Sequence, residues 1–273
     1  MFTDKTIGII GLGNMGEVLL RGLLTAETTD RAHLLATEML PDRRVFVGET
    51  YGIKVGADNV AMVQRCDIVL LAVKPQNIDK VLLELVEVLD ESKLLISIAA
   101  GITTEFIASF FPDRDVRIVR AMPNAPALVL TGATALYPGS HATDDDLKLA
   151  FGIFDTTGKT VVVANEALMD VVTGLSGSGP AFVFMMIEAL SDAGVQMGLA
   201  RKVSNLLAAQ TVLGAAKMFL ETGRHAGDLR DLVATPGGTT FAGLRALEKG
   251  VFRSTVMDAV EAAAKKSKEL GRK

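Results

Sequence analysis

Three glycines at positions 11, 13 and 16, in GLGNMG, follow an apolar run and open a helix-patterned segment. In that setting the spacing has a mechanism. Gly11 permits a tight turn, Gly13 lets the backbone approach a pyrophosphate with no Cβ in the way, and Gly16 allows close helix–strand packing. The helix start adds unpaired N–H groups and a favourable dipole for phosphate oxygens. Residues 11–16, with Leu12, Asn14 and Met15 between the glycines, are therefore expected to bind a dinucleotide; the alternative is a glycine-rich turn that binds nothing.

Two further stretches fall where a dinucleotide would lie, beyond the carboxyl ends of strands. In AVKPQ, Ala72, Val73, Lys74 and Pro75 should face the cofactor; Lys74 is open to catalysis, to bonding cofactor hydroxyls, or to plain solvation. In AMPNAP, Met122, Pro123 and Asn124 form a restricted loop suited to the nicotinamide end, or an ordinary turn. The end of the second expected strand reads ATEMLPDRR. Glu38 could accept hydrogen bonds from ribose hydroxyls and repel a 2′-phosphate, whereas Arg43 and Arg44 could hold that phosphate. The signals oppose each other, and NADH and NADPH both stay open. None of His33, His141 and His225 lies in a convincing catalytic context. An iminium substrate, already electrophilic at carbon, would need no strong general acid.

A second anion site is suggested far downstream. LSGSGPAF (175–182) places two glycines before Pro180, which suits the start of a helix. ATPGGTTFAGL repeats the device: Pro236 ends one segment, Gly237 and Gly238 expose N–H groups, and a helix begins near Thr239. Thr239 or Thr240 could cap that helix, or its start could bind a small carboxylate without any arginine.

The elements that must position these residues divide the chain in two. Strands are expected at 6–11, 33–38, 67–73, 93–100, 116–123, 132–139 and 159–163, with helix-patterned segments between the early ones. That alternation predicts an α/β Rossmann-type doubly wound parallel sheet over residues 1–163. From 164 to 273 only helix patterns follow, which predicts an all-helical domain for substrate binding and dimerisation. The net charge of −4 gives no reason to expect nucleic acid as a partner, and no metal site is expected. No run approaches the roughly 18 uninterrupted apolar residues of a membrane span; the richest, AFVFMMI, ends at Glu188. One cysteine, Cys66, rules out an internal disulfide framework and fits a cytoplasmic setting. With 49% hydrophobic residues, self-association is a natural place for the excess apolar surface.

The combination of IGIIGLGNMG, DIVLLAVKPQ, SIAAGI, RAMPNAPA, LSGSGPAF and, above all, LRDLVATPGGTTFAGLRALE resembles pyrroline-5-carboxylate reductase almost end to end. The resemblance implies the final step of proline synthesis, reduction of (S)-1-pyrroline-5-carboxylate by NAD(P)H. It also implies a homodimer, or a higher oligomer, whose helical domains interlock, with the active site where a cofactor domain meets dimer helices. By the same token Gly237, Gly238 and Thr239 would hold the substrate carboxylate, Thr235 would support it, and Thr240 would hydrogen-bond the ring nitrogen. Gly11, Gly13, Asn14, Met15 and Gly16 would take the pyrophosphate, Ala72, Lys74 and Pro75 the adenosine ribose, and Met122, Pro123 and Asn124 the nicotinamide. One departure stands out: many members carry a small polar residue followed by Arg where this chain has Glu38 and a later arginine pair. A 3-hydroxyacid dehydrogenase shares the glycine-rich start but requires a helical lysine, and residues 164–200 contain none. A nucleotide-sensing regulator would have no need of the PGGTT segment.

Overall fold

The computed structural model describes Phe2 and residues 4–271. Eight strands form one sheet: β1 (Ile7–Ile10), β2 (Leu34–Thr37), β3 (Lys54–Gly56), β4 (Ile68–Leu71), β5 (Leu94–Ser97), β6 (Arg117–Met122), β7 (Gly132–Pro138) and β8 (Gly158–Val162). Their order is β3-β2-β1-β4-β5-β6-β7-β8. Chain order reverses beside β1, which pairs in parallel with both β2 and β4. The sheet is parallel as expected from β3 through β6; at that end β7 runs antiparallel to β6, and β8 pairs in parallel with β7. One strand escaped the sequence reading. The three residues of β3 are too few and too exposed to leave an apolar signature.

The near-continuous apolar strands are explained by two cores, one on each face of the sheet. Ile7, Ile9, Leu34, Ile68, Leu70, Leu94 and Ile96 point to one core, and Ile10, Leu35, Val69, Leu71 and Leu95 to the other. The alternation is the two-residue period of a strand with both faces covered. The covering helices are α1 (Asn14–Thr25), α2 (Pro41–Tyr51), α3 (Asn59–Val63), α4 (Ile78–Leu85), α5 (Thr104–Ala108) and α6 (Asp144–Phe154). Gly8 is needed because a Cβ there would lie 2.5 Å from Cys66 Sγ. Cys66 is free, and burial pushes its thiol up to about 12.

The remaining helices are α7 (Leu168–Val172), α8 (Gly179–Gln196), α9 (Arg201–Thr222), α10 (Ala226–Val233), α11 (Thr239–Lys249) and α12 (Phe252–Leu270). The chain divides into two compact units, one running to Gly177 and including the end from Ala263, the other comprising Ser178–Ala262. The division falls later than the expected boundary at 163 because the intervening segment is bound to the sheet unit. Met169 is fully buried, and Glu166 accepts from Thr104 N–H (2.8 Å), Thr104 Oγ1 (2.8 Å) and Arg120 Nη1 (3.1 Å). Ser267 Oγ on α12 donates to Asp170 Oδ1 on α7 (2.7 Å), which ties the chain end to the same unit.

In the helical unit α8 and α9 pack closely, for a Cβ on Gly194 would meet Ser204 Oγ at 2.1 Å. Their other faces carry exposed Phe184, Met185, Leu206, Leu213 and Leu220. Two stretches, Leu168–Gln196 and Arg201–Thr222, reach a mean hydropathy of 1.3 over 18 residues, enough in length and composition for a membrane span. Neither is an uninterrupted apolar run, since Asp170, Glu188 and Asp192 lie in the first and Lys202 and Lys217 in the second.

Candidate dinucleotide site and second ligand turn

Two of the three glycines are required sterically, and the third leaves the turn open. Gly11 has φ +92°, a region costly for any residue with a Cβ, and its N–H donates to Thr37 O (2.9 Å). A Cβ on Gly16 would lie 2.0 Å from Gly11 O, so α1 can pack on the turn only with glycine there. A Cβ on Gly13 would meet nothing within 4 Å, and this open side is where a ligand can approach the backbone. Glu17 N–H makes the first α1 bond, to Gly13 O (3.0 Å). The amides of Asn14, Met15 and Gly16, in the first turn, therefore have no helical acceptor. An open cradle lined by free N–H groups fits a pyrophosphate.

The register Ile10↔Leu71 sets the AVKPQ loop beside this turn. Ala72 N–H donates to Ile10 O (2.9 Å), and a Cβ on Gly11 would lie 2.9 Å from both Ala72 O and Val73 Cγ1. Lys74 is exposed and leads into a short helical turn at Pro75–Asn77. Met122 ends β6, and a Cβ on Gly177 would sit 2.9 Å from its Cε. Asn124 behaves differently from a free cofactor contact. Its Nδ2 donates to Ser176 O (3.0 Å) and its Oδ1 accepts from Ala133 N–H (2.8 Å). The side chain clamps the loop to β7 and to the SGSG segment, leaving one amide hydrogen for anything else.

At the end of β2 the charges form a fixed network. Glu38 Oε2 accepts from Leu12 N–H (2.9 Å) and Oε1 from Leu40 N–H (3.0 Å). Arg43 Nε donates to Leu12 O (2.8 Å), its guanidinium pairs with Glu17, and it lies over the Phe46 ring at 5.2 Å. Tyr51 OH donates to the same Glu17 (2.6 Å). Burial pushes Glu17 up, but the Tyr51 hydroxyl and the Arg43 guanidinium outweigh it and hold the carboxyl below its ordinary value. Arg44 Nη1 donates to the carbonyls of Glu38 (2.8 Å) and Met39 (2.9 Å). The opposing charges were legible in the sequence; that both sides of the Leu12 peptide are held by them was not.

The ATPGGTT segment joins α10 to α11 in the helical unit. Gly237 takes φ +68°, and Gly238 caps α11 with extended backbone. No side chain caps this helix, contrary to the expectation for Thr239 or Thr240. Thr240 Oγ1 instead donates to Val233 O (3.1 Å). Gly238 N–H is closed into the turn on Thr235 O (3.0 Å), and Thr235 Oγ1 sits where a Gly238 Cβ would fall. The amides of Thr239, Thr240 and Phe241, in the first turn of α11, have no helical acceptor, and Gly237 precedes them in the turn. A cleft of about 920 Å³ elsewhere in this unit is lined by Phe184, Met185, Glu188, Arg201 and Asn205, and holds none of these residues.

The histidines lie elsewhere: His225 caps α10, His141 lies 3.4 Å from Asp115, and His33 precedes β2 with its Nδ1 buried and unpartnered. Among the described residues no group of three His, Cys, Asp or Glu could hold a metal ion.

A glycine-rich turn at a switch point of a Rossmann-type sheet, followed by a helical unit with a second glycine–threonine turn, defines the nicotinamide-dependent oxidoreductases with a helical second domain. Residues 6–101 match the family model of NADP oxidoreductase coenzyme F420-dependent, and residues 166–270 that of pyrroline-5-carboxylate reductase dimerisation. The chain is 45% identical over 270 residues to pyrroline-5-carboxylate reductase of Methanosarcina acetivorans, covering 99% of each. The solved pyrroline-5-carboxylate reductase of Coxiella burnetii superposes with a TM-score of 0.95 at 38% identity, over 99% of this chain and 100% of that one. The Plasmodium falciparum pyrroline carboxylate reductase with NADP bound gives 0.85 at 35% identity, covering 98% of each. This chain belongs to the pyrroline-5-carboxylate reductase family.

Proposed function

We propose that the chain reduces (S)-1-pyrroline-5-carboxylate to L-proline with NAD(P)H, the last step of proline biosynthesis. The observation that carries this reading is end-to-end likeness to reductases of that name, with the PGGTT turn intact. When bound, the nicotinamide would supply the hydride that the imine carbon accepts. The chain's part is to hold both partners. Gly11 and Gly13 shape the turn on which the open amides of Asn14, Met15 and Gly16 take the pyrophosphate, Ala72, Val73, Lys74 and Pro75 line the adenosine side, and Met122, Pro123 and Asn124 shape the nicotinamide end.

The substrate carboxylate sits on the Gly237 and Thr239 amides, with Thr235 bracing the turn through Gly238. Thr240 is the catalytic residue. Because its hydroxyl hydrogen is directed at Val233 O, its lone pairs are free to accept from the protonated ring nitrogen. That contact favours the iminium, the form that takes up hydride, and the proton stays on nitrogen as the amine forms. No strong acid is required, and most of the acceleration comes from holding two reactants in register. The enzyme works as a homodimer in the cytoplasm. Mixing the purified protein with pyrroline-5-carboxylate and either NADH or NADPH should oxidise the cofactor, followed at 340 nm; absence of turnover with both sinks the reading.

A further inference from the structure

We infer that Glu38 makes this reductase selective for NADH over NADPH. The inference rests on the dinucleotide reading of the glycine-rich turn and bears on the conflict of Glu38 against Arg43 and Arg44. The Glu38 carboxylate stands at the carboxyl end of β2, where an adenosine ribose meets a Rossmann sheet. Each of its oxygens is anchored by one backbone amide, Leu12 N–H at 2.9 Å and Leu40 N–H at 3.0 Å. A carboxylate has about four lone-pair directions, so each oxygen keeps one for a vicinal diol. A 2′-phosphate there would bring up to two negative charges against a carboxylate that cannot swing away.

The two arginines do not reverse that balance. Arg43 is turned to Leu12 O and to the Glu17 carboxylate, which Tyr51 also holds. Arg44 spends one end of its guanidinium on the carbonyls of Glu38 and Met39. A phosphate could recruit Arg43 only by breaking its Glu17 pair and withdrawing a support of the glycine-rich turn. The bidentate arginine–phosphate geometry that rewards NADPH is thus taken at Arg43 by Leu12 O and Glu17, and at Arg44 is left to the N–H groups not held by the Glu38 and Met39 carbonyls.

The test is calorimetric titration of the full-length protein without substrate, using NADH, NADPH, 5′-ADP and 2′,5′-ADP. Tighter binding of NADH than NADPH by about tenfold or more is expected, with the same order in the two ADP fragments. Glu38→Gln keeps an acceptor for Leu12 N–H but removes the charge, and should narrow both ratios; Glu38→Ser should narrow them further. Equal or tighter binding of NADPH by the unaltered protein overturns the selectivity and leaves the reductase reading standing. An unchanged ratio in Glu38→Gln overturns the assignment to Glu38. Binding of neither nucleotide overturns both the selectivity and the dinucleotide site. The wild-type fragment ratio decides the question even if a variant fails to fold.

Discussion

The residues that matter most here act through the backbone. Leu12 has no chemistry of its own, yet its N–H is held by Glu38 and its carbonyl by Arg43, so two side chains fix the turn that receives the phosphates. Thr240 is held in the same way, by the Val233 carbonyl, and this directs its lone pairs outward. On the proposed mechanism, Thr240→Ala should lower kcat/KM by about a hundredfold, at the low end of what a positioned polar group contributes. Steady-state kinetics with nucleotide titration separates the effects: nucleotide affinity should stay nearly unchanged, and Thr240→Ser should recover most of the rate. A collapse of nucleotide binding would show that the PGGTT turn serves something else.

Among elements, the loops that leave β4 and β6 are shaped by partners distant in sequence. Asn124 ties the β6 loop to β7 and to the SGSG segment. Below it, Arg120 on β6 is 4% exposed and paired with Glu166, which also binds the start of α5. This pair joins three elements that the sequence separates by 62 residues at its widest. Glu166→Ala would leave the guanidinium buried without its counter-charge, a change that costs about 3 kcal/mol or more. Urea unfolding should show that loss as a lower midpoint. A shift under about 0.5 kcal/mol, the size of an ordinary surface substitution, would mean that water takes over the pairing.

For the whole molecule, the governing fact is apolar surface that one chain does not cover. Met185 is 73% and Leu220 is 74% exposed on helices whose residues match a dimerisation model. Exposed apolar side chains on these helices fit the proposed homodimer. Sedimentation should therefore report at least twice the 28.9 kDa of the chain. A stable monomer at micromolar concentration would remove the homodimer from the proposal.

The sequence by itself determined the division into an α/β and a helical part, most of the order of elements, and the steric demands of the glycine-rich turn. Glycine spacing is a steric requirement, since φ +92° at Gly11 and the 2.0 Å approach at Gly16 exclude any other residue wherever such a turn forms. Buried strands likewise announce themselves, because both faces must be apolar. Left to the tertiary structure were β3, the reversal of β7, the tie of residues 164–177 to the sheet unit, and the partners of Glu38, Arg43 and Asn124. Each depends on contacts made across the fold, by main-chain groups that every residue carries alike. A pattern of residue types can show that a charge or a carbonyl is present, but only the folded backbone decides which of them meet.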